Sequence, residues 1–261
     1  MTRARGNGFR IALSLVALLI GGAVAAVLVG ARSGPSPGRS ALPAAPQSAL
    51  EPRNVPLGPR PAAYWAPVLA ATSARPSPGH RTVMADVPKR TPEGTTNVVL
   101  VLGNASRRSG KLWVQVRVPA FPDDAHAWVP RSALGGYVPV RTRLVVNRSQ
   151  LTATLWRDGR PVFRARVGVG TASTPTPRGD FYVRNRLEKY RSPFYGPVAF
   201  GTSARSSGVS DWPAGGFVGI HGTNRPDLIP GRVSHGCIRM ANPDILRLAR
   251  LMRVGTPLTV R

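Results

Sequence analysis

The sequence is poor in cysteine and in acidic side chains, with one cysteine and 11 Asp and Glu against 36 Lys and Arg in 261 residues. A single thiol, Cys237, excludes an internal disulfide, so it is either a small buried apolar residue or a residue whose reactivity is used. Residues 234–240 (SHGCIRM) place a histidine and a glycine directly before the thiol. These neighbours favour a reactive cysteine.

The shortage of acidic residues leaves a formal net charge of +25, which by itself suggests nucleic-acid binding. Three of the basic residues are lysines, and the other 33 are arginines scattered along the chain. A scattered set fits a compositional bias and a solvated basic surface better than a binding stripe. Because the N-terminus predicts export, we expect no nucleic acid as a partner and keep it only as a minor alternative.

The N-terminus carries a long uncharged run. Three arginines precede residues 11–31, which are rich in Leu, Val, Ile and Ala and long enough to span a bilayer as a helix. We predict a transmembrane anchor with a cytoplasmic N-terminus and an exported body. A cleaved signal peptide is the alternative, because residues 23–25 (AVA) resemble a cleavage site, although signal apolar regions normally run about 7–15 residues. A lipid-modified cysteine is excluded, since this region contains none.

Composition divides the rest of the chain. We predict an anchor segment at 1–32, a flexible linker rich in Pro, Ala, Ser, Gly and Arg at 33–64, a β domain at 65–137 and a catalytic domain at 138–261. Within 65–137, β-rich runs such as 112–118 (LWVQVRV) alternate with turn-forming clusters and predict a small barrel. His80 and His126 fall in this segment without a motif, and we interpret both as surface or core residues.

Residues 111–116, then 127–130 (AWVP) and 132–134 (SAL), resemble a bacterial SH3-like domain. The resemblance covers about 65–137. It implies one of two roles: a module that binds the bacterial cell wall or orients substrate, or a packing domain that braces the catalytic domain. The sequence leaves both roles open.

The C-terminal half predicts further strands and one helix. Asp158-Gly159 between two β-rich runs is a strong hairpin signal. Near the end, Asn242 is predicted to cap a helix with Pro243 in its first turn, and Gly255 to stop it. A buried face is predicted for Ile245, Leu248, Ala249 and Met252.

Two histidines are candidate bases for the thiol, since a nearby base lowers a thiol pKa toward neutrality. His221 follows the predicted strand 217–220, whereas His235 shares a face with Cys237 if their segment is extended. Spacing does not choose between them. Backbone N–H groups of Gly236 and Cys237 can form an oxyanion hole. Zinc binding by His221, His235 and Cys237 is a rival, but their spacing matches no common zinc pattern.

The combination of 220–224 (IHGTN) and 234–240 (SHGCIRM) resembles the signature of the L,D-transpeptidase catalytic domain, the YkuD family. The resemblance extends over about 140–261 and includes residues 174–181 (TPTPRGDF). It implies a mainly β enzyme in which a short C-terminal helix follows the β-rich catalytic fold. The whole protein is then a single-pass membrane protein whose catalytic domain faces the cell wall.

The resemblance also implies roles for residues. In the family, the cysteine attacks the carbonyl after the third residue of a peptidoglycan tetrapeptide stem, releases D-alanine and passes the acyl group to an amine of a neighbouring stem. Cys237 is then the nucleophile and His221 the base, oriented by the carbonyl of Gly222. The oxyanion and substrate site is implied for Ser234, His235 and Gly236. For Arg239, binding of a substrate carboxylate and a structural ion pair stay open.

No cofactor and no metal are expected, and carbapenem-type inhibitors are expected to react with the thiol. Hydrolysis of the same acyl-enzyme by an L,D-carboxypeptidase is one alternative function. A non-catalytic wall-binding protein is the other, and the intact His221 and Cys237 weigh against it.

Overall fold

A computed structural model describes residues 63–120, 125–188, 192–206 and 216–261. The predicted anchor and nearly all of the predicted linker lie outside these ranges. Within them, no helix is both long enough and apolar enough to cross a membrane. The described part of the chain is mainly β, as predicted.

Residues 63–140 form a five-stranded antiparallel sheet, which we call the first sheet, and a two-stranded ribbon beside it. The order in the sheet is β6-β5-β4-β1-β7, and β2 pairs with β3 in the ribbon. The strands are β1 (Ala63–Pro67), β2 (Thr72–Ala74), β3 (Ala85–Val87), β4 (Val98–Arg108), β5 (Lys111–Arg117), β6 (His126–Pro130) and β7 (Val138–Val140).

Alternation in β5 explains the core of this sheet. Val114 and Val116 are buried on one face, as the sequence pattern predicts. The opposite face is not solvated, because Trp113 and Arg117 are also buried. Arg117 donates a hydrogen bond to the main-chain oxygen of Asp180 in the second half of the chain. The SH3-like assignment of this region stays a prediction.

Residues 142–260 form a ten-stranded mixed sheet, the second sheet, in the order β10-β9-β8-β17-β12-β13-β14-β16-β11-β15. One α-helix, α1 (Asn242–Leu251), occurs among the described residues. The strands are β8 (Thr142–Asn147), β9 (Thr152–Arg157), β10 (Arg160–Arg166), β11 (Gly168–Gly170), β12 (Gly179–Glu188), β13 (Val198–Arg205), β14 (Phe217–His221), β15 (Gly231–Ser234), β16 (Ile238–Arg239) and β17 (Pro257–Val260).

The hairpin prediction is confirmed. Asp158 and Gly159 connect β9 to β10 with φ values of 52° and 78°. Positive φ at both central residues is the geometry of a type I′ turn, which matches the twist of paired strands.

The helix prediction is partly wrong. Ala241 is the N-cap residue and no side chain caps the helix, because Asn242 Oδ1 instead accepts the Thr223 N–H at 2.9 Å. Pro243 lies in the first turn and the predicted apolar face is buried, as expected. The helix ends at Leu251 and not at Gly255, since Met252 is already extended.

The two sheets meet at a small apolar cluster. Val98 and Leu100 of β4 pack with Tyr182 of β12, and Trp65 and Val254 lie against them. The Tyr182 hydroxyl donates to the Val98 carbonyl at 3.0 Å. Residues 63–140 are therefore packed onto the sheet that carries the thiol.

Candidate active site

The thiol and one histidine are brought together by two neighbouring strands. β14 and β16 are parallel, with Ile220 opposite Ile238 and His221 opposite Arg239. Cys237, directly before β16, therefore lies beside Gly219, whose N–H donates to its Sγ at 3.3 Å. Because side chains two residues apart share a strand face, His221 and Cys237 point to the same side of the sheet. Both are buried, at 1% and 6% exposure.

The imidazole of His221 is held in one orientation. Its Nδ1 lies 2.6 Å from the Gly222 carbonyl oxygen. A carbonyl can only accept, so Nδ1 carries a proton and donates it, and the neutral ring has its lone pair at Nε2. Tyr195 packs edge-on against the ring at 4.8 Å and Phe194 lies 6.2 Å away, both measured between ring centroids.

Gly222 is fixed by close packing as well as by its carbonyl. A Cβ at Gly222 would lie 2.3 Å from Asn242 Oδ1 and 3.1 Å from the Gly196 Cα. Asn242 is tied to this turn through the Thr223 N–H. A larger residue at position 222 would displace the carbonyl that orients His221.

The loop before the thiol is fixed by three hydroxyl groups. Ser234 Oγ accepts the Gly236 N–H at 3.1 Å and donates to the Cys237 carbonyl at 2.6 Å. Thr176, fully buried, donates to the Gly236 carbonyl at 2.8 Å, and Thr174 Oγ donates to the Ser234 carbonyl at 3.3 Å. The Gly236 N–H is thus engaged within the loop, and its part in an oxyanion hole stays a prediction.

His235 does not share the environment of His221. Gly236 has a φ of 126°, so the segment from 235 to 237 is bent and not extended. The shared face predicted for His235 and Cys237 required an extended segment, and His235 is exposed. Across the part of the chain that the structure describes, no group of three or more His, Cys, Asp or Glu side chains is arranged to hold a metal ion.

Arg239 lies at the same face as the thiol, one pleat further along β16. Its guanidinium carbon is 4.5 Å from the centroid of the Phe194 ring, and its Nη1 donates to the Val233 carbonyl at 3.3 Å. Nε is buried without a hydrogen-bond partner. Among residues 63–120, 125–188, 192–206 and 216–261, no ion pair includes Arg239.

Four residues that shape this site were not assigned to it from the sequence: Gly219, Thr176, Tyr195 and Asn242. Thr176 belongs to the segment TPTPRGDF that carries part of the resemblance, which is the signal that points to it. Asn242 was assigned to the helix cap. Nothing local indicates Gly219 or Tyr195, since both act through pairing and packing between distant segments.

Comparison with known proteins places these residues in a family context. Residues 141–260 match the family model of the L,D-transpeptidase catalytic domain, YkuD. Over 118 residues the chain is 36% identical to YkuD of Bacillus licheniformis, covering 45% of this chain and 64% of that protein. Over 121 residues it is 33% identical to YqjB of Bacillus subtilis, covering 43% and 67%. Both relatives are named as L,D-transpeptidases.

Among solved structures, the chain is similar to the catalytic domain of the E. faecium L,D-transpeptidase determined by NMR. The identity is 28%, over 46% of this chain and 96% of that chain, with a TM-score of 0.35. The chain spans 64% of the length of the Bacillus licheniformis relative.

Proposed function

Because the chain belongs to the L,D-transpeptidase family, through a catalytic domain at 141–260, we propose that it cross-links peptidoglycan through an acyl-enzyme on Cys237. One observation carries the proposal: a buried thiol and a buried imidazole lie on one face of the second sheet, and Nδ1 of that imidazole is held by the Gly222 carbonyl. This arrangement orients Nε2 as a base.

In the proposed reaction, His221 Nε2 takes the thiol proton, and Cys237 Sγ attacks the carbonyl after the third residue of a tetrapeptide stem. The bond to D-alanine breaks, and its nitrogen leaves with the proton from His221. An amine of a neighbouring stem then attacks the thioester and restores the thiol. The Gly219 N–H supports the first step, since a hydrogen bond to the thiolate stabilises the charged form.

Further roles are proposed for the residues around the pair. Arg239 binds a substrate carboxylate, because its buried guanidinium is next to the thiol and its Nε has no protein partner. Ser234 and Gly236 hold the shape of the thiol loop. His235 is exposed at the rim, where it can contact a bound stem peptide.

The test is mass spectrometry of products from a tetrapeptide-stem muropeptide incubated with the protein. Cross-linked dimers with release of D-alanine are the expected products. Tripeptide alone would assign the L,D-carboxypeptidase alternative, because water would then accept the acyl group. Unchanged muropeptide, with intact binding to isolated walls, would assign a non-catalytic wall protein.

We also propose that residues 11–31 anchor the protein in the cell membrane, so that the catalytic domain faces the wall. A reporter fused after Ala63 is expected to be exported and to remain in the membrane fraction. A soluble, shortened product would instead indicate a cleaved signal peptide.

A further inference from the structure

A buried ion pair joins the N-terminal region, residues 63–140, to the second sheet. Glu93 lies in the turn between β3 and β4, and its Oε1 accepts a hydrogen bond from Arg184 Nη2 at 2.9 Å. Both side chains are only 2% exposed. Burial lowers the pKa of Arg184, and the Glu93 carboxylate opposes that change. Glu93 is therefore the counter-ion of a guanidinium that lies inside the catalytic domain.

Glu93 also holds the next residue of β12. Its Oε2 accepts the Asn185 amide at 2.9 Å. Val183 pairs with Thr202 and Asn185 with Gly201, so Arg184 is the extra residue of a β-bulge. One carboxylate thus binds both side chains at an irregular point of the strand.

Those two side chains bind β13. Asn185 Oδ1 accepts the Gly201 N–H at 2.9 Å, and Arg184 Nε donates to the Thr202 carbonyl at 2.8 Å. A Cβ at Gly201 would lie 2.4 Å from Asn185 Oδ1, so the amide approaches the backbone as closely as a glycine allows. A movement of Asn185 would therefore move β13 at this point.

From β13 the contacts continue to the thiol. Gly201 is paired with Gly219 of β14, and Thr202 Oγ donates to the Val218 carbonyl at 2.7 Å. Gly219 is the residue whose N–H donates to Cys237 Sγ. Every step from the Glu93 carboxylate to the sulfur is a hydrogen bond or a strand pair.

We propose that Glu93, supplied by the turn between β3 and β4, is a positioning residue for Cys237 and sets the reactivity of its thiol through Asn185, Gly201 and Gly219. The proposal rests on the proposed function only in taking Cys237 as the nucleophile. It gives residues 63–140 a part in the active site that neither wall binding nor bracing requires.

The test is the rate at which iodoacetamide alkylates the full-length protein, followed from neutral to alkaline pH. Cys237 is the only cysteine, so the rate reports this thiol alone. In Glu93→Gln, a displaced Gly219 N–H is expected to raise the midpoint of the alkylation profile by about one pH unit. Carbapenem acylation at neutral pH is expected to fall about tenfold.

Glu188→Gln is the matched control. Glu188 lies on the same strand as Arg184 and pairs with Arg186 at 2.6 Å, but its side chain is 59% exposed. The substitution and the loss of charge are identical, so Glu188→Gln is expected to keep the wild-type profile. An equal shift in both variants would overturn the proposal, because net charge alone would explain it.

A second variant, Glu93→Gln with Arg184→Met, removes the buried charge together with its partner. It is expected to fold and still to show the raised midpoint, since the glutamine amide oxygen is a weaker acceptor for Asn185 than the carboxylate, and the other acceptor, Thr91 Oγ1, lies 3.4 Å away. A wild-type midpoint in either folded variant would overturn the proposal. Failure of both variants to fold would also overturn the proposal, because Glu93 would then be a residue of the folding core.

Alkylation needs no wall substrate, so a wild-type protein that is alkylated but inactive on muropeptides refutes only the proposed function.

Discussion

Histidines of the first and second sheets show how one residue type serves two purposes. His80, beside the first sheet, is exposed, and its Nδ1 accepts the N–H of Thr82 in a local turn. His221, in the second sheet, is buried, and its Nδ1 donates to the Gly222 carbonyl. The first contact places the lone pair on Nδ1 and the second leaves it on Nε2. The residue type alone does not mark the site, whereas burial and the partner of one ring nitrogen do.

The two regions also differ in the kind of acceptor that a buried arginine receives from the other region. The second sheet contains a buried arginine, Arg184, and the turn between β3 and β4 supplies its carboxylate partner, Glu93. The first sheet contains the buried Arg117, and the second sheet supplies a main-chain carbonyl as its acceptor. Each region satisfies a polar group of the other, so the boundary between them is specific and not merely apolar.

Removal of the thiol should give the largest change in reactivity, because we expect the second sheet to carry the nucleophile and the first sheet to carry none. A carbapenem is expected to form one covalent adduct with the wild-type protein, because the nucleophile opens its β-lactam ring. Cys237→Ala is expected to form none, as measured by the mass of the intact protein. An adduct on the variant would place a second nucleophile elsewhere and would contradict the assignment of the site.

Separate substitution of His221 and of His235 by alanine should give the next largest change in the acylation rate. His221→Ala is expected to lower the rate of carbapenem acylation by about 10²–10⁴-fold, since general-base assistance contributes on that scale. His235→Ala is expected to cost much less, because this side chain is exposed and lies beyond the bend at Gly236. Rates are measured from the appearance of the adduct. The reverse ranking would move the base to His235.

The site shows what the sequence can and cannot predict. The motifs around Cys237 and His221 are local and specific, so the sequence alone names both residues as candidates, and their catalytic roles stay a prediction. Spacing alone did not predict which histidine lies beside the thiol on one face of the sheet, since that depends on the parallel pairing of β14 with β16 and on the φ of Gly236. Both are consequences of long-range packing.

The fold shows the same limit. Alternation in 112–118 and the Asp158-Gly159 turn predicted β structure correctly, because local geometry decides these features. Asn242 was assigned to a cap and instead binds the turn after His221, a contact 19 residues away in sequence. The role of Glu93 was not predicted, because nothing distinguishes it locally from other turn residues and its partners lie more than 90 residues further along the chain.

A pair of glycines tests how tightly the two regions pack. Gly255 has a φ of 82°, and a Cβ there would lie 1.9 Å from Trp65 Cδ1 across the boundary. Gly110 has a φ of 74°, with nothing within 4 Å of its Cβ position. Gly110→Ala is expected to lower the free energy of unfolding by about 1–2 kcal/mol from backbone strain alone. Gly255→Ala should cost about 1–3 kcal/mol more, because the Trp65 ring must also move.

Urea denaturation of the two variants measures both losses. The excess for Gly255→Ala is the cost of moving the Trp65 ring, since the backbone strain at the two positions is similar. Equal losses would show that the ring yields at no cost and that the two sheets are loosely packed at this point.

The smallest expected effect concerns pH and His126, on β6 at the same boundary. Partial burial lowers the pKa of His126, which is mostly exposed, the positive charge of Arg117 acts in the same direction, and Asp180 opposes them. The unfolded chain, with a histidine pKa of about 6.5, therefore binds a proton more readily than the folded chain. The contribution of the neutral ring to stability is complete above the pKa of the unfolded chain and is lost as the pH falls from that value toward the lower pKa of the folded state.

His126→Gln is expected to make the decrease in Tm between about pH 7 and pH 5 smaller by no more than about 2 °C, because the exposed ring is screened by solvent. Parallel Tm curves for the variant and the wild type would show that neither partial burial nor the charge of Arg117 lowers the pKa of His126 on folding.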